Sequence, residues 1–240
     1  MQETSALYDQ IVANPNHWFE PRLSIAVSSS TDVYRYAHQI FSISTHHSLF
    51  ADGFPQVGCA VAGELDTTFI APSDAIPKMA RISVHVRATD GVQVSEWIKR
   101  GSYYIDTREV SHNSDGLDVV TVHAYDSMLK FDQMYPSDSQ HDYPMLDVDL
   151  VRRMAVLITP TISVDARTIA LMNKGYMFTP FGYTMREMLG YIASAYGGNF
   201  IITDDNYLLL TQLGYMPEET FYLVTEGGEP ITFGGDRILV

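Results

Sequence analysis

Hydrophobic and polar residues alternate along several segments between residues 58 and 132, and this alternation predicts β-strands. In one segment, Ile82, Val84 and Val86 fall on one face of a strand, and the polar residues between them fall on the other. A period of two is typical of a sheet with one buried face. The alternating runs are 58–66, 80–87, 95–106 and 117–126, with turn residues between them at 72–77, 89–91 and 113–116. The pattern predicts an antiparallel sheet that curls into a small β-barrel.

The residues before this sheet predict further parts of the same domain. A short amphipathic helix is expected at 4–13, because Leu7, Tyr8, Ile11 and Val12 share a helical face. A first strand is expected at 22–27 and a longer β-rich stretch at 34–50. We therefore expect residues 1–135 to form a β-barrel domain.

The pattern changes after Asp126, where helical spacing replaces alternation. Apolar residues at helical spacing predict a helix over 147–157, and Asp165 is a candidate cap for a short helix. Two extended runs, 199–203 and 207–211, flank a polar turn and predict a β-hairpin. Residues 136–213 are therefore expected to form a small α+β module, and the fold class is mainly β with an α+β insert.

The strongest local signal in this module is a helix start at Thr184. Glu187 follows three residues later, which is the spacing of a capping box, and Tyr183 and Met188 stand at the positions of a hydrophobic staple. The helix is expected to run to about Tyr196 and to end at the glycine pair 197–198.

Residues 214–240 return to strand-like patterns. Candidate strands lie at 221–224, 231–233 and 237–240, with a glycine-rich turn at 226–230. These strands either close the first barrel or start a second one, and the pattern leaves both alternatives open.

Composition and charge exclude several classes of protein. The 46% of hydrophobic residues argues against disorder, and the single cysteine, Cys59, excludes an internal disulfide. The formal net charge of −14 is spread over the chain, with −7 in 1–135, −3 in 136–213 and −4 in 214–240. Such a surface disfavours a direct grip on DNA, whose binding needs basic residues. The acidity suits either a passage along which DNA slides or solubility alone.

The N-terminal residues lack the basic and apolar regions of a secretory signal, and no run reaches the roughly 18 apolar residues of a membrane span. We therefore expect a protein made in the cytoplasm and without a membrane anchor.

Histidines and acids are present, but their spacing does not predict a site. The neighbours His46 and His47 point to opposite faces of a strand and so cannot share a metal ion. The histidines His112, His123 and His141 come nearest to a catalytic group, but His123 lies in a strand run and the other two lie in loops.

The aspartates Asp204–Asp205 and Asp147 with Asp149 lack the distal glutamate of a calcium loop. No nucleotide-binding or hydrolase motif is present. We therefore predict no catalytic, cofactor-binding or metal-binding residues, no cofactor and no enzymatic activity.

Aromatic residues offer an alternative function. Trp97, Tyr103 and Tyr104 lie in one predicted hairpin, where they suit barrel packing, and Tyr207 lies in another. If these four rings form a stacking platform, the chain is a receptor- or carbohydrate-binding β-module of a phage or a cell surface.

Three motifs resemble the baseplate-hub and tail-tip proteins of bacteriophages and related contractile particles. They are EWIKRGSYYI at 96–105, VHAYDSMLK at 122–130, and YTMREMLGYIA at 183–193 running into GGNF at 197–200. The last motif is the most specific, because it joins a capped helix to a hairpin in the order found in the family. Together the motifs cover roughly residues 58–213.

The resemblance implies a fold, an assembly and a role. The family has two related tube-type β-barrels with an α/β module between them, and it forms a homotrimer whose barrels make a pseudo-sixfold ring. That ring joins the tail tube, or a distal tail protein, to the spike or tip, and DNA at most passes through it. The chain departs from this pattern because only one barrel and the first strands of a second fit in 240 residues. The expected location is the virion.

Overall fold

A seven-stranded antiparallel sheet forms the first half of the protein. The computed structural model describes residues 4–51, 54–72, 75–136 and 143–213, and the backbone of 232–233 and 236–237. Helix α1 (Ala6–Val12) precedes the sheet. The strands are β1 (Trp18–Ala26), β2 (Asp32–Tyr36), β3 (Ile40–His46), β4 (Glu64–Ile70), β5 (Arg81–Thr89), β6 (Ile98–His112) and β7 (Asp118–Tyr125). Their order across the sheet is β2-β1-β5-β6-β7-β4-β3.

The sheet curls until its two edges meet. Arg35 on β2 donates a hydrogen bond from Nε to the carbonyl oxygen of Ile70, at the end of β4, over 2.9 Å. These strands are five steps apart in the sheet, about 24 Å if the sheet were flat. The predicted antiparallel, curled sheet is therefore confirmed as a half-barrel. Strand β2 does not pair with β4 or β3 through backbone hydrogen bonds. The Arg35 side chain makes the connection between these two edges of the sheet.

The inside of the curl is the first hydrophobic core. It takes alternate residues from the strands, as the period of two predicts. Its members include Leu23, Ile25, Leu65, Phe69, Ile82, Val84, Tyr103, Ile105, Val120, Val122 and Ala124.

The structure corrects two strand boundaries. The stretch predicted at 34–50 is broken by a 3₁₀ turn, Ala37–Gln39, because the chain leaves one edge of the sheet and starts the other edge there. The run predicted at 58–66 joins the large sheet only from Glu64 onward. Its first residues pair with a different sheet, as described below.

The second half of the described chain is an α+β unit around its own core. Its elements are β8 (Met145–Leu146), α2 (Asp147–Leu157), β9 (Ser163–Val164), α3 (Ala166–Leu171), β10 (Met177–Phe178), α4 (Met185–Ala195), β11 (Gly198–Ile202) and β12 (Tyr207–Gln212). Strands β11, β12 and β9 form one small sheet, and α2 and α4 contribute buried residues to the core beside it. Met128, Phe131 and Tyr135 also pack in this core. The division at residue 135/136 stays a prediction, and the packing draws 128–135 toward the second unit.

Helix α4 begins as the sequence predicts. The Thr184 hydroxyl accepts a hydrogen bond from the Glu187 backbone N–H, and the Glu187 carboxylate accepts one from the Thr184 N–H over 2.7 Å. The ring of Tyr183 lies against Tyr191, with centroids 5.2 Å apart, while Met188 is buried in the core. Gly197, with φ of +66°, adopts the left-handed conformation that ends helices.

The alternatives for residues 214–240 lie almost wholly outside the described residues. Only β13 (Thr232–Phe233) and β14 (Asp236–Arg237) are described, and they pair with each other.

Replacing Thr184 tests the cap. Thr184→Ala removes the acceptor of the Glu187 N–H and should lower the free energy of unfolding by about 1 kcal/mol. Thr184→Ser keeps the hydroxyl and should stay close to the wild type. Urea unfolding followed by circular dichroism measures both variants, and equal losses in the two would contradict the role of the cap.

Candidate functional site

The junction between the two cores is built on one short connector, residues 58–63. Its backbone pairs with β11: the Gly58 N–H donates to the Gly198 carbonyl over 2.9 Å, and the Val61 N–H donates to the Phe200 carbonyl over 2.8 Å. In return, the Phe200 N–H donates to the Cys59 carbonyl over 2.8 Å. The connector therefore extends the small sheet and then enters the large sheet as β4.

Asn199 fixes the connector from inside the junction. Its side chain is fully buried, and its Oδ1 accepts a hydrogen bond from the Cys59 N–H over 2.9 Å. Its Nδ2 donates to the carbonyls of Leu49 and Gln56 over 2.7 and 2.8 Å. One amide side chain therefore satisfies backbone groups from two separate segments.

Helix α4 lies directly against the connector because both carry glycine at the contact. A Cβ atom at Gly190 would lie 2.7 Å from the Gly58 carbonyl oxygen, and real Cβ atoms do not approach backbone so closely. Arg186, one turn earlier, donates from Nε to the Ala60 carbonyl over 2.8 Å and also pairs with Asp132 at 3.0 Å.

Asp126 holds the other end of the junction. It follows β7, and its carboxylate accepts hydrogen bonds from the backbone N–H groups of Gly63 (2.6 Å) and Met128 (2.8 Å). The second bond caps the 3₁₀ helix Ser127–Phe131. Burial raises the pKa of Asp126 to about 7, and the two N–H donors oppose that rise only in part.

The tip of the β11–β12 hairpin touches the large sheet. Asp204 lies 3.8 Å from Arg100 and 4.0 Å from His47, and Asn206 accepts a hydrogen bond from Ser127. His47 in turn shares a hydrogen bond of 2.7 Å with the hydroxyl of Tyr103, and burial lowers the pKa of this histidine. The turn residues Asp204 and Asn206 thus connect the two units.

The other acids and histidines considered from the sequence are dispersed. His112 pairs with Asp118 at 2.6 Å, and His123 pairs with Asp66 at 2.8 Å. His141 lies outside the described residues, and buried Asp147 accepts a hydrogen bond from Tyr196 at the start of α2. Within the described ranges, no three side chains of His, Cys, Asp or Glu converge as metal ligands would.

The four rings considered as a stacking platform do not share a surface. Tyr103 and Tyr104 are 0% and 4% exposed, and only Tyr207, at 43%, presents its ring freely. Trp97 is half-buried, with the guanidinium carbons of Arg22 and Arg87 at 4.4 and 4.6 Å from its ring. The structure gives no support to a carbohydrate platform made from these four residues.

The outer face of the curled sheet carries opposite charges on its two sides. On β1 and β5, Arg22 pairs with His85 in the register, and these residues face away from the core. We call the cationic set here the basic flank: it consists of Arg22, Arg81, His85, Arg87 and Lys99. Burial, followed by the charges of Arg22 and Lys99, lowers the pKa of His85, as expected in a positive potential.

The other side of the outer face is acidic. In the register of β4 with β7, Glu64 and Asp66 point away from the core, opposite to Leu65. We call this set the acidic flank: it consists of Glu64, Asp66, Asp106 and Glu109. A cavity of about 570 Å³ lies between this flank and the α+β unit, lined among others by Glu64, Asp106, Tyr125 and Arg186. Burial, followed by the charges of Glu64 and Asp106, raises the pKa of Tyr125.

Known structures share this architecture, although sequence comparisons found no relative. No family model matches the chain, and no curated protein sequence is significantly similar to it. The 43 kDa tail protein of prophage MuSo2 from Shewanella oneidensis superposes with a TM-score of 0.52 at 13% identity. The match covers 85% of this chain and 58% of that one. The fold is that of a phage tail protein.

A second structure agrees. The tail protein from Neisseria meningitidis MC58 matches with a TM-score of 0.50 at 12% identity, over 82% of this chain and 51% of that one. The chain thus spans between half and three-fifths of the length of these tail proteins. At such identities the likeness shows the tail-protein fold alone. Separately, no helix of the described chain is long and apolar enough to cross a membrane.

Sequence reasoning missed the residues that build this junction. Asn199 was included only in a predicted hairpin, and Gly58 and Gly190 carried no signal of their mutual contact. Their partners lie more than 130 residues away along the chain, so no local pattern records them. The polar residue at the start of an otherwise apolar strand, Asn199 before Phe200, was the one local hint.

Asp126 predicts a pH dependence of stability. An unfolded aspartate loses its proton near 3.8, whereas folded Asp126 keeps it until about pH 7. Between these values the folded state binds a proton that the unfolded state has released, so the contribution of Asp126 to stability falls as the pH rises. It is highest below pH 4 and has been lost above pH 7.

The variant Asp126→Asn isolates this effect, because asparagine does not titrate. The difference in free energy of unfolding, wild type minus variant, should decrease by up to about 4 kcal/mol between pH 4 and pH 7. Other groups titrate in both proteins and cancel. Urea unfolding at half-unit pH steps gives this difference, and a constant value across the window would refute the assignment.

Proposed function

We propose that this chain is a structural component of a phage tail or phage-like injection particle. More specifically, we propose a baseplate-hub or tail-tip protein that links the tail tube to the spike or tip. The observation that carries the proposal is the tail-protein fold, matched over more than four-fifths of the chain by two tail proteins of known structure. The order of the sheet, the capped helix and the hairpin supports the hub role, since the three motifs follow the order of that family.

The proposed partners are two further copies of the chain, the tail tube or a distal tail protein on one side, and the spike or tip protein on the other. One feature of the fold suits such an assembly. Strands β2 and β3 are edges of the large sheet, and edges are either protected or paired with another chain. Closed rings of identical subunits give every edge a partner.

The role proposed here is mechanical, without a reaction, a cofactor or a specific grip on DNA. The net charge of −14 suits a part past which DNA slides, because an overall negative surface repels phosphates. A hub must also transmit load between its neighbours. The junction around Asn199 supports that requirement, because it ties the two units together through buried backbone hydrogen bonds.

Antibody labelling tests the location. Antibodies raised against the purified chain are applied to particles induced from the bacterium that encodes it, and gold-labelled particles are viewed by electron microscopy. We expect gold at one end of the tail. Serum pre-absorbed with the purified chain is the control and should leave tails bare.

Two results would contradict this proposal in different ways. Tails that stay unlabelled after mild disruption of their ends would exclude a tail component. Gold spaced evenly along the tail would keep the chain in the tail but exclude a hub or tip.

A further inference from the structure

We propose that the basic flank binds an acidic segment of a neighbouring protein, one of whose carboxylates pairs with Arg22. The inference deepens the proposed function and rests on it for one point, that the neighbour is a different protein of the tail. The surface consists of Arg22, the rings on either side of it and a cavity beside Trp97.

Arg22 lies in a row of side chains on the outer face of the sheet. It points outward because the next residue, Leu23, is buried in the core of the half-barrel. In the register, Arg22 lies between Tyr36 of β2 and His85 of β5. Lys99 of β6 continues the row beyond His85. The row therefore brings one ring and three basic side chains together from four neighbouring strands.

The next outward row consists of three serines and forms a low floor beside the basic row. Ser24, Ser83 and Ser102 lie opposite one another on β1, β5 and β6, and all three are buried. Their hydroxyls already have partners, because Ser24 donates to Asp32 over 2.5 Å and Ser83 shares a hydrogen bond of 3.1 Å with Ser102. A ligand on this face is therefore bound by the basic row and not by the serines.

Arg22 lacks the anionic partner that its basic neighbours have. Arg87 pairs with Glu20 at 2.7 Å, and Arg81 pairs with Asp32 at 3.4 Å. Within the described ranges, Arg22 makes neither an ion pair nor a hydrogen bond, and its Nε is buried without an acceptor. A buried guanidinium donor without an acceptor is costly, so an anionic oxygen at this position is stabilising.

The charges around Arg22 leave the potential there positive. The Nδ1 atom of His85 is also buried without a hydrogen-bond partner, and burial, followed by the charges of Arg22 and Lys99, lowers the pKa of this histidine. Burial lowers the pKa of Lys99, and the charges of Asp205 and Asp204 in the β11–β12 turn oppose that change only in part. The turn aspartates thus act at the Lys99 end of the row, and the Arg22 end keeps its excess of positive charge.

The rings beside Arg22 favour a protein as the partner. The guanidinium carbon lies 4.4 Å from the Trp97 ring and 5.1 Å from the Tyr34 ring, and Tyr34 is 44% exposed. Arginine, tryptophan and tyrosine are the residues that most often dominate binding between proteins. A guanidinium held between rings is also oriented in advance for a bidentate pair with a carboxylate.

A cavity next to this position fits a second side chain of the same segment. It has a volume of about 390 Å³ and is lined by Trp97, Tyr36, His38 and Arg87 among others. The rings of Tyr36 and His38 stack there with centroids 6.5 Å apart. An aromatic side chain next to an acidic residue fills this cavity while the carboxylate binds Arg22, which a simple anion cannot do.

The net charge argues for a short acidic segment over nucleic acid. At −14, the chain repels a long polyanion over most of its surface, and a second copy of itself as well. Nucleic-acid binding needs several basic residues along the phosphate backbone, whereas the basic flank is a local exception on an acidic surface. A segment with a few carboxylates approaches this flank without meeting the rest of the surface.

An acidic peptide tests the surface in the full-length chain. The probe is Glu-Glu-Phe-Glu-Glu, blocked at both ends, and its uncharged counterpart Gln-Gln-Phe-Gln-Gln is the control. We expect the acidic peptide to shift the Nε–H resonance of Arg22 in nitrogen–proton NMR spectra, with a dissociation constant on the order of 1 mM or below. The corresponding resonance of Arg152, on α2 outside the flank, should stay in place.

A matched pair of variants separates the contact from net charge. Arg22→Gln should weaken binding of the acidic peptide at least about tenfold, because a charge-assisted pair is lost. Arg152→Gln removes the same charge elsewhere and should bind like the wild type. Thermal melting followed by circular dichroism confirms that both variants are folded. If Arg22→Gln unfolds, the Arg22 resonance of the wild type still decides the outcome.

Several results would overturn the inference. An Arg22 resonance that stays in place at about 10 mM acidic peptide would do so, as would an equal shift with the uncharged peptide or full binding by folded Arg22→Gln. Pentathymidylate has the same charge as the acidic peptide, and tighter binding of this strand would assign the surface to nucleic acid. Wild-type self-association that Arg22→Gln abolishes would assign it to a second copy.

The proposed function fails or stands on a separate result. Labelled tail ends without peptide binding would remove only this inference. Peptide binding through Arg22 with unlabelled tails would keep the surface and remove the role in the tail.

Discussion

The fold depends on the satisfaction of a short stretch of buried backbone. Residues 58–61 run between two hydrophobic cores, where an unpaired N–H or carbonyl would be costly. Strand β11 supplies backbone partners for Gly58, Cys59 and Val61, the Asn199 side chain accepts from the Cys59 N–H, and Arg186 donates to the Ala60 carbonyl. Because the connector continues into β4, the position of the α+β unit is determined by the same hydrogen bonds that complete the small sheet.

This junction holds the two units of the molecule together. The half-barrel offers two strand edges and two oppositely charged flanks, while the α+β unit is held at its end by the connector, by Asp126 and by the hairpin tip. Load applied to either unit is therefore carried by hydrogen bonds that are short, buried and numerous.

Strands and helix ends could be predicted from the sequence where the residues that determine them lie close together along the chain. Strand β5 follows from the alternation of Ile82, Val84 and Val86, and the start of α4 follows from the spacing of Thr184 and Glu187. Sheet order could not be predicted, because β1 pairs with β5 across more than fifty residues and nothing local records it. The segment 58–61 was assigned to the large sheet for the same reason: alternation reports that a strand is present, but does not report which strand it joins.

Hydrogen exchange followed residue by residue tests the central claim that the connector makes one cooperative unit of the two cores. The amides of Gly58, Val61 and Phe200 should exchange only through global unfolding, with the same free energy as core amides such as that of Val122. Exchange of the connector amides through a separate opening of clearly lower free energy, with Val122 still protected, would contradict this account.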